Sequence, residues 1–211
     1  MAPVSAARDI GGEEVVETSA ARARDAANTQ SLLLAAARRR FALDGYSATT
    51  VREIAADAGV TVALINRYFV SKEGLFEACL TRAVEGLERL DPGEAPLEIL
   101  VHDIVAQVSE PLSSENSLRL LLLLRSSGDP VTERIRRETF RRFAERMATA
   151  AGWRADDDGT TDVMLRAEIA MAATFGIVLL RATSGLEPLT SAGADDLQEP
   201  LAEVLGALLT R

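Results

Sequence analysis

The chain has 211 residues, 47% of them hydrophobic and 4% aromatic, so it is long enough to bury a core filled mainly by Leu, Ala and Val. The net charge of −9 argues against a general nucleic-acid coat protein but leaves room for one basic face on an acidic body. One cysteine, Cys79, and one histidine, His102, exclude an internal disulfide framework and argue against a transition-metal site.

The N-terminal residues 1–27 mix charges with Ala and Gly and have weak periodicity, so we predict a flexible arm. This arm is either a disordered extension or an auxiliary arm that contacts DNA through Arg22 and Arg24. Helix 1 is predicted over 29–43 from its apolar spacing. Gly45 ends the helix because glycine tolerates the left-handed conformation that follows a helix.

Two short helices are predicted next, separated by a glycine. Thr50 and Glu53 have the spacing of a capping box, which places the start of helix 2 after Thr50. Gly59 breaks helix 2. Thr61 then caps helix 3, which runs to about Phe69.

Small and apolar residues in these two helices have a spacing typical of a helix-turn-helix. Val51 is followed by Ala55, which must be small because the second helix packs against it. Gly59 occupies the tight turn, where a side chain would need a positive φ. Ile65 is the apolar residue that holds helix 3 against helices 1 and 2.

The rest of the chain is predicted to be helical, with no strand pattern. Helix 4 begins at Ser71, and Asp91-Pro92-Gly93 is a break near which we place a domain boundary. The apolar stretch Ile169–Leu180 is shorter than the roughly 20 residues of a membrane-spanning helix, so we predict a buried helix. The N-terminus has no apolar segment of signal-peptide length, and a reducing cytosol is the expected compartment. The later helices are predicted at about 96–108, 116–126, 130–150, 162–186 and 195–209.

Further residues before, within and after the helix-turn-helix extend this pattern: Phe41, Gly45-Tyr46, Thr49-Thr50-Val51, Ile54-Ala55, Ala58-Gly59-Val60, Arg67-Tyr68-Phe69 and Ser71-Lys72-Glu73. With these elements, residues 28–87 resemble the DNA-binding domain of the TetR family of transcriptional regulators. The resemblance implies an all-α protein with a DNA-binding domain over residues 28–88, in which the helix-turn-helix spans about 50–69. It also implies a C-terminal effector-binding and dimerisation domain over residues 89–211.

The third helix has residue types suited to reading DNA. Asn66 and Arg67 can make bidentate contacts to adenine and guanine in the major groove. Lys72, the only lysine in the chain, lies in the first turn of helix 4, where a nearby phosphate would offset the unfavourable helix dipole. The full set of predicted DNA-binding residues is Thr49, Thr50, Arg52, Thr61, Val62, Ala63, Leu64, Asn66, Arg67, Tyr68 and Lys72.

Helix 3 departs from the family pattern at three positions. Relatives often have Lys, Thr and Tyr where this chain has Val62, Leu64 and Asn66, so the operator cannot be inferred from a relative. Three alternatives stay open at this stage: a structural salt bridge for Arg67, packing for Tyr68 and a core position for Leu64.

The C-terminal helices are predicted to form a homodimer and an effector site. The apolar stripe of the last helix either closes the core of the protomer or, as we favour, forms a four-helix dimer interface with the 162–186 helix; it comprises Leu197, Leu201, Val204, Leu205 and Leu208. Effector-pocket candidates, each of which could instead be core or rim, are His102, Arg119, Phe140, Met171 and Phe175, with Arg125 and Trp153 as further possibilities.

These features favour one of three functions. A repressor released from pseudo-palindromic double-stranded operator DNA by a small apolar or amphipathic effector fits best. A DNA-binding dimer that acts without an effector is the alternative. An enzyme is disfavoured because no catalytic residues, phosphate loop or serine-elbow pattern are found, and no cofactor or membrane partner is expected.

Overall fold

The computed structural model describes residues 11–88, 96–125, 127–154 and 161–210, with side chains from residue 24 onward except at 161. These ranges contain only α-helices and their connections, which confirms the all-α prediction. The helices are α1 (Gly11–Leu43), α2 (Val51–Asp57), α3 (Val62–Phe69), α4 (Lys72–Glu88), α5 (Leu97–Ser109), α6 (Glu115–Leu123), α7 (Pro130–Ala150), α8 (Thr161–Thr183) and α9 (Ala194–Leu209).

Helix α1 is longer than the sequence pattern predicted. It begins at Gly11 rather than Thr29, so residues 11–27 are helical and not an irregular arm. Residues 1–10, the rest of the predicted arm, lie outside the described residues. So does the predicted break at Asp91-Pro92-Gly93.

Helices α1–α4 pack around a shared aromatic and aliphatic core. Phe41 and Phe76 are fully buried, with ring centroids 5.1 Å apart in an edge-to-face arrangement. Ile54 of α2 and Ile65 of α3 are also fully buried. Helix α2 packs against α1 and α3, and α3 packs against α2 and α4. Each short helix thus has a fully buried apolar side chain, and Ile65 holds α3 against α2, as the spacing predicted, and against α4 rather than α1.

Helix α6 connects this N-terminal unit to the remaining helices. It packs against α1 and α4 on one side and against α8 on another, and four consecutive residues, Leu120 to Leu123, are buried. The Arg125 guanidinium, just beyond α6, donates to the carbonyl oxygens of Ala42 and Leu43 at 3.0 Å each. A cation at that position stabilises the C-terminus of α1.

The predicted dimer stripe of α9 lies largely inside the protomer, which corrects our favoured interpretation. Leu197, Leu201 and Leu205 are buried because α9 packs against α5 and α8, so these side chains cannot meet a partner. Leu208 is half-buried. Only Val204 is exposed, at 46%.

Helix α8 was predicted to be buried, but it has two different faces. Arg181 is buried, and its guanidinium donates to the carbonyls of Val108 at 2.7 Å and Ala192 at 3.0 Å. On another face, Ile169 and Leu180 are 46% and 43% exposed. By length and composition alone, the 162–183 segment could cross a membrane, but its packing against α6, α7 and α9 is that of a helix in a bundle.

Candidate nucleic-acid interface

The turn between α2 and α3 has the geometry that the sequence predicted. Gly59 has φ +68°, a conformation that only glycine adopts without strain. The amide of Val60 donates to the carbonyl of Ala55 at 2.9 Å, and Ala55 itself is buried. This turn sets the angle at which α3 leaves α2.

The start of α2 is fixed by the predicted capping box. The Glu53 amide donates to Thr50 Oγ1 at 3.3 Å, and the Thr50 amide donates to the Glu53 carboxylate at 2.8 Å. The Thr50 hydroxyl also donates to this carboxylate. The hydrogen bonds from the Thr50 hydroxyl and amide lower the pKa of Glu53, so the capping carboxylate stays ionised to a lower pH than an ordinary glutamate.

Thr49 was predicted to contact DNA, and the structure contradicts this. Its side chain is 1% exposed, and its hydroxyl donates to the Gly45 carbonyl at 2.8 Å. Thr49 therefore stabilises the connection between α1 and α2 from inside. Arg52 is exposed on α2.

Helix α3 separates its side chains into two faces. Ile65 is fully buried, whereas Ala63, Asn66 and Arg67 are exposed. Thr61 occupies the N-cap position, but its hydroxyl makes no capping hydrogen bond. The exposed face thus presents an amide, a guanidinium and a methyl group, which are the groups that read base edges.

The structure bears on the three alternatives that the sequence left open for α3, which are a core position for Leu64, packing for Tyr68 and a salt bridge for Arg67. Val62, Leu64 and Tyr68 are half-buried and pack against the core. Arg67 makes no ion pair with the described residues; its guanidinium carbon lies 5.8 Å from the centroid of the Tyr68 ring. Tyr68 thus packs inward on one side and supports Arg67 on the other.

Tyr46, to which the sequence pattern assigned no role, supports Lys72. The Lys72 ammonium nitrogen lies 4.2 Å from the centroid of the Tyr46 ring, within the range of a cation–π interaction. The Tyr46 hydroxyl donates to Glu73 at 2.7 Å, which is the main cause of a lowered pKa of Glu73. Burial is the main cause of a raised pKa of Tyr46. In the sequence, the one indication of a role for Tyr46 is that the Gly45-Tyr46 pair belongs to the TetR-like pattern.

The connection between α3 and α4 is unusually tight. Val70 has φ +67° and ψ −47°, and the Ser71 amide donates to the Phe69 carbonyl at 2.7 Å, which makes Val70 the centre of a strained γ-turn. At Gly74, a Cβ atom would lie 2.3 Å from the Phe69 carbonyl oxygen. Glycine at 74 therefore permits α4 to begin directly against the end of α3.

Arg40 of α1 forms an ion pair with Asp57 of α2. Its guanidinium contacts both carboxylate oxygens of Asp57, at 2.6 and 3.0 Å. This arrangement raises the pKa of Arg40 and lowers that of Asp57. Bidentate geometry restricts rotation of one helix against the other more than a single contact would.

A second candidate site lies among the C-terminal helices. A cavity of about 40 Å³ there is bounded by α4 to α8; its lining residues are Leu87, Ile104, Gln107, Val108, Leu120, Phe143, Arg146, Met147, Thr174 and Phe175. Of the predicted pocket residues, Phe175 alone lines this cavity. The sequence pattern missed Gln107, Arg146 and Thr174, because their convergence depends on the packing of separate helices.

The other predicted pocket residues lie outside this cavity lining. His102 is exposed. Arg119 donates to Asn116 and contacts Glu115, and it lies against Gly86 of α4. Phe140 packs on Phe175, with ring centroids 5.3 Å apart. Met171 and Trp153 are half-buried, and Arg125 caps α1. The described residues include no group of three or more His, Cys, Asp or Glu side chains that could hold a metal ion.

A helix-turn-helix whose second helix exposes an amide, a guanidinium and a methyl group, joined to a helical body, is typical of a DNA-binding regulator. The family model for bacterial regulatory proteins of the tetR family matches residues 33–79, and the model for the tetracyclin repressor-like C-terminal domain matches residues 98–209. Together they cover more than half of the chain. The chain therefore belongs to the TetR family: it is a transcriptional regulator and not an enzyme.

Solved structures share this fold at low sequence identity. A transcriptional regulator from Rhodococcus sp. Rha1 has 22% identity and a TM-score of 0.67, with 85% of this chain and 95% of that chain covered. A regulator from Saccharomonospora viridis in complex with choline has 19% identity and a TM-score of 0.63, with coverages of 82% and 93%. The multidrug binding protein EbrR complexed with malachite green has 20% identity and a TM-score of 0.58, with coverages of 85% and 97%. No curated protein sequence matches the chain.

Proposed function

We propose that the protein is a homodimeric repressor that a small-molecule effector releases from a pseudo-palindromic operator. The observation that carries the DNA-reading part is the division of α3: Ile65 is fully buried, while Asn66 and Arg67 are exposed on the other face. Asn66 and Arg67 would contact bases, and Lys72 and Thr61 would contact phosphates. Phosphate contacts orient the domain, whereas base contacts select the sequence.

An exposed apolar face supports the homodimer. Along α8, Leu165, Ile169 and Leu180 are 43–53% exposed. Between them lies Gly176, where an added Cβ would meet no atom within 4 Å. A second copy of α8 would cover this face, with Val204 of α9 beside it. Two-fold symmetry would then separate the two recognition helices by one DNA turn, about 34–36 Å.

The cavity supports an effector. Leu87 lines it from α4, the helix that begins at Lys72. An effector larger than about 40 Å³ must displace lining side chains and therefore favours a different position of α4. If that position moves the two recognition helices away from a spacing of one DNA turn, DNA affinity falls by the coupling free energy between effector binding and DNA binding. The complexes of two relatives with choline and malachite green are consistent with a small organic ligand.

The proposed setting is the cytoplasm of a bacterium, where such a regulator meets its operator. The alternative, a DNA-binding dimer that acts without an effector, would leave the cavity unused. It predicts that no small molecule changes DNA affinity, even though the dimer binds a specific site.

Binding to DNA selected from random duplexes tests the proposal. Fluorescence anisotropy at two salt concentrations would measure the affinity of the folded dimer. Asn66→Ala should relax specificity at one operator position. Lys72→Ala should instead weaken binding to all sequences alike and reduce the slope of log affinity against log salt concentration by about one. Failure of the folded dimer to prefer any sequence over random DNA would refute the repressor function.

A further inference from the structure

We propose that the effector is an uncharged molecule with an apolar body and one amide or hydroxyl group, and that the side chain of Gln107 hydrogen-bonds this group. This inference rests on the proposed effector function and specifies the chemistry of the ligand. It depends on which polar groups around the cavity are already engaged within the protein and which are still available.

The walls of the cavity are mostly apolar. Seven of the ten lining side chains are apolar, and six of these seven are buried. A ligand body that replaces water here gains free energy roughly in proportion to the apolar area that it covers. The larger part of the effector is therefore apolar, as in most small-molecule sites, where a few polar groups fix the orientation of the ligand.

Gln107 belongs to the face of α5 that borders the cavity. It follows Ile104 by three residues and precedes Val108, so the three side chains lie on one side of the helix. Ile104 and Val108 are buried, Gln107 is half-buried, and all three line the cavity. The helical register therefore places the Gln107 side chain beside the apolar walls, whereas an ordinary surface glutamine would extend into water.

The three polar residues of the lining differ in what they can still offer a ligand. The Thr174 hydroxyl donates to the Ala170 carbonyl at 2.8 Å, so its proton is already used. Arg146 has a partner within the protein, and its guanidinium carbon also lies 5.5 Å from the centroid of the Phe143 ring. The Gln107 side chain makes no hydrogen bond with any residue that the structure describes. A ligand can therefore bond to Gln107 without displacing an existing contact.

The amide of Gln107 favours an uncharged partner. It donates through its NH2 group and accepts through its oxygen, so a ligand amide or hydroxyl, which also does both, can satisfy both ends. An anion would compete with the partner that Arg146 already has, and a cation would meet the like charge of Arg146, which also lines the cavity. Either ion would also lose hydration among apolar walls, which is costly for a charge without an opposite charge beside it.

Four probes with the same alkyl chain test this preference: octanamide, octan-1-ol, octanoate and octylammonium. Each is larger than the cavity of about 40 Å³ and must displace a lining side chain such as Met147, which is unbranched and adapts readily. Isothermal titration of the full-length protein at neutral pH would measure the dissociation constants. We expect both uncharged probes to bind about tenfold or more tightly than either ion. Both should also release the protein from its selected DNA.

Variants separate the hydrogen bond from the shape of the site. Methionine has nearly the length of glutamine but no amide, so Gln107→Met should weaken octanamide and octan-1-ol about fivefold, as expected for one lost hydrogen bond. It should leave the binding of octanoate and octylammonium nearly unchanged. Gln198→Met is the matched control, because Gln198 is exposed on α9, and it should alter none of the four dissociation constants.

The outcomes distinguish this inference from the proposed function. Tighter binding of either ion, unchanged binding of octanamide in Gln107→Met, or equal losses for all four probes in that folded variant would overturn the assignment. If the protein binds its selected DNA but none of the probes, this inference and the effector site are both wrong, while DNA recognition stands. If it prefers no DNA sequence yet shows the expected order of probes, the ligand site stands and the repressor function fails.

Discussion

Replacing Val70 with glycine should stabilise the protein. Val70 is a β-branched residue at φ +67°, and its side chain is 83% exposed. A side chain in such a conformation costs about 1–3 kcal/mol. Glycine removes this cost but loses about 0.5–1 kcal/mol through its greater freedom in the unfolded chain. Because an exposed valine contributes little burial, we expect a net gain of about 0.5–2 kcal/mol.

The matched control is Val70→Ala. Alanine removes the same two methyl groups but keeps the Cβ atom that makes a positive φ unfavourable. Thermal unfolding followed by circular dichroism should place Val70→Gly about 1–8 °C above the parent protein, given the usual relation for chains of this size. All three proteins must be compared at one protomer concentration, because the stability of the proposed dimer would depend on it. A glycine variant no more stable than the alanine variant would show that the turn is not strained.

Three further predictions concern the proposed dimer face, the response to acid and the contact between Tyr46 and Lys72. Gly176→Leu should leave the protomer folded but shift the protein to monomers in analytical ultracentrifugation, because open space surrounds Gly176. The pKa values of Asp57 and Glu73 are lowered in the folded protein. Both carboxylates therefore stabilise the fold fully when the pH is above their ordinary pKa, and this stability is lost as the pH falls through the lowered pKa. Urea midpoints should therefore drop between pH 5 and pH 3, and less in Asp57→Asn. Tyr46→Leu should weaken DNA binding severalfold, by removing a cation–π contact of about 0.5–1 kcal/mol, and should have little effect once Lys72 is alanine.

Each of these has a contrary result. A Gly176→Leu dimer would move the interface away from α8. An acid response that Asp57→Asn leaves unchanged would assign it to other carboxylates. Additive losses from Tyr46→Leu and Lys72→Ala would show that the ring acts on DNA binding independently of Lys72.

The helix-turn-helix was predictable because local chemistry determines it. A glycine in a turn, a small residue at a helix contact and an apolar residue at each helix centre are constraints that neighbouring residues set. Gly59, Ala55 and Ile65 were therefore placed correctly, as was the capping box at Thr50.

The errors arose where the outcome depended on distant parts of the chain. The leucine stripe of α9 has the same periodicity whether it faces α5 or a partner, so Leu201 and Leu205 could not be assigned from sequence. Thr49 was included with its neighbour Thr50 in the predicted DNA-binding set, yet its side chain is buried and its hydroxyl donates to the Gly45 carbonyl. Arg146 was missed because it lies on a strongly charged helix, most of whose arginines face water.

The chain has a single ε-amino group, and it lies on the surface proposed to meet DNA. Lys72 is the only lysine, and the Tyr46 ring holds its ammonium group in place. An acylating reagent selective for ε-amines would therefore modify one side chain and remove one positive charge. Its reaction rate would report occupancy of the DNA surface without any mutation, because bound DNA would shield this amine. Because all the other Lys and Arg positions are arginine, the amine of Lys72 can serve as a chemical reporter of DNA binding.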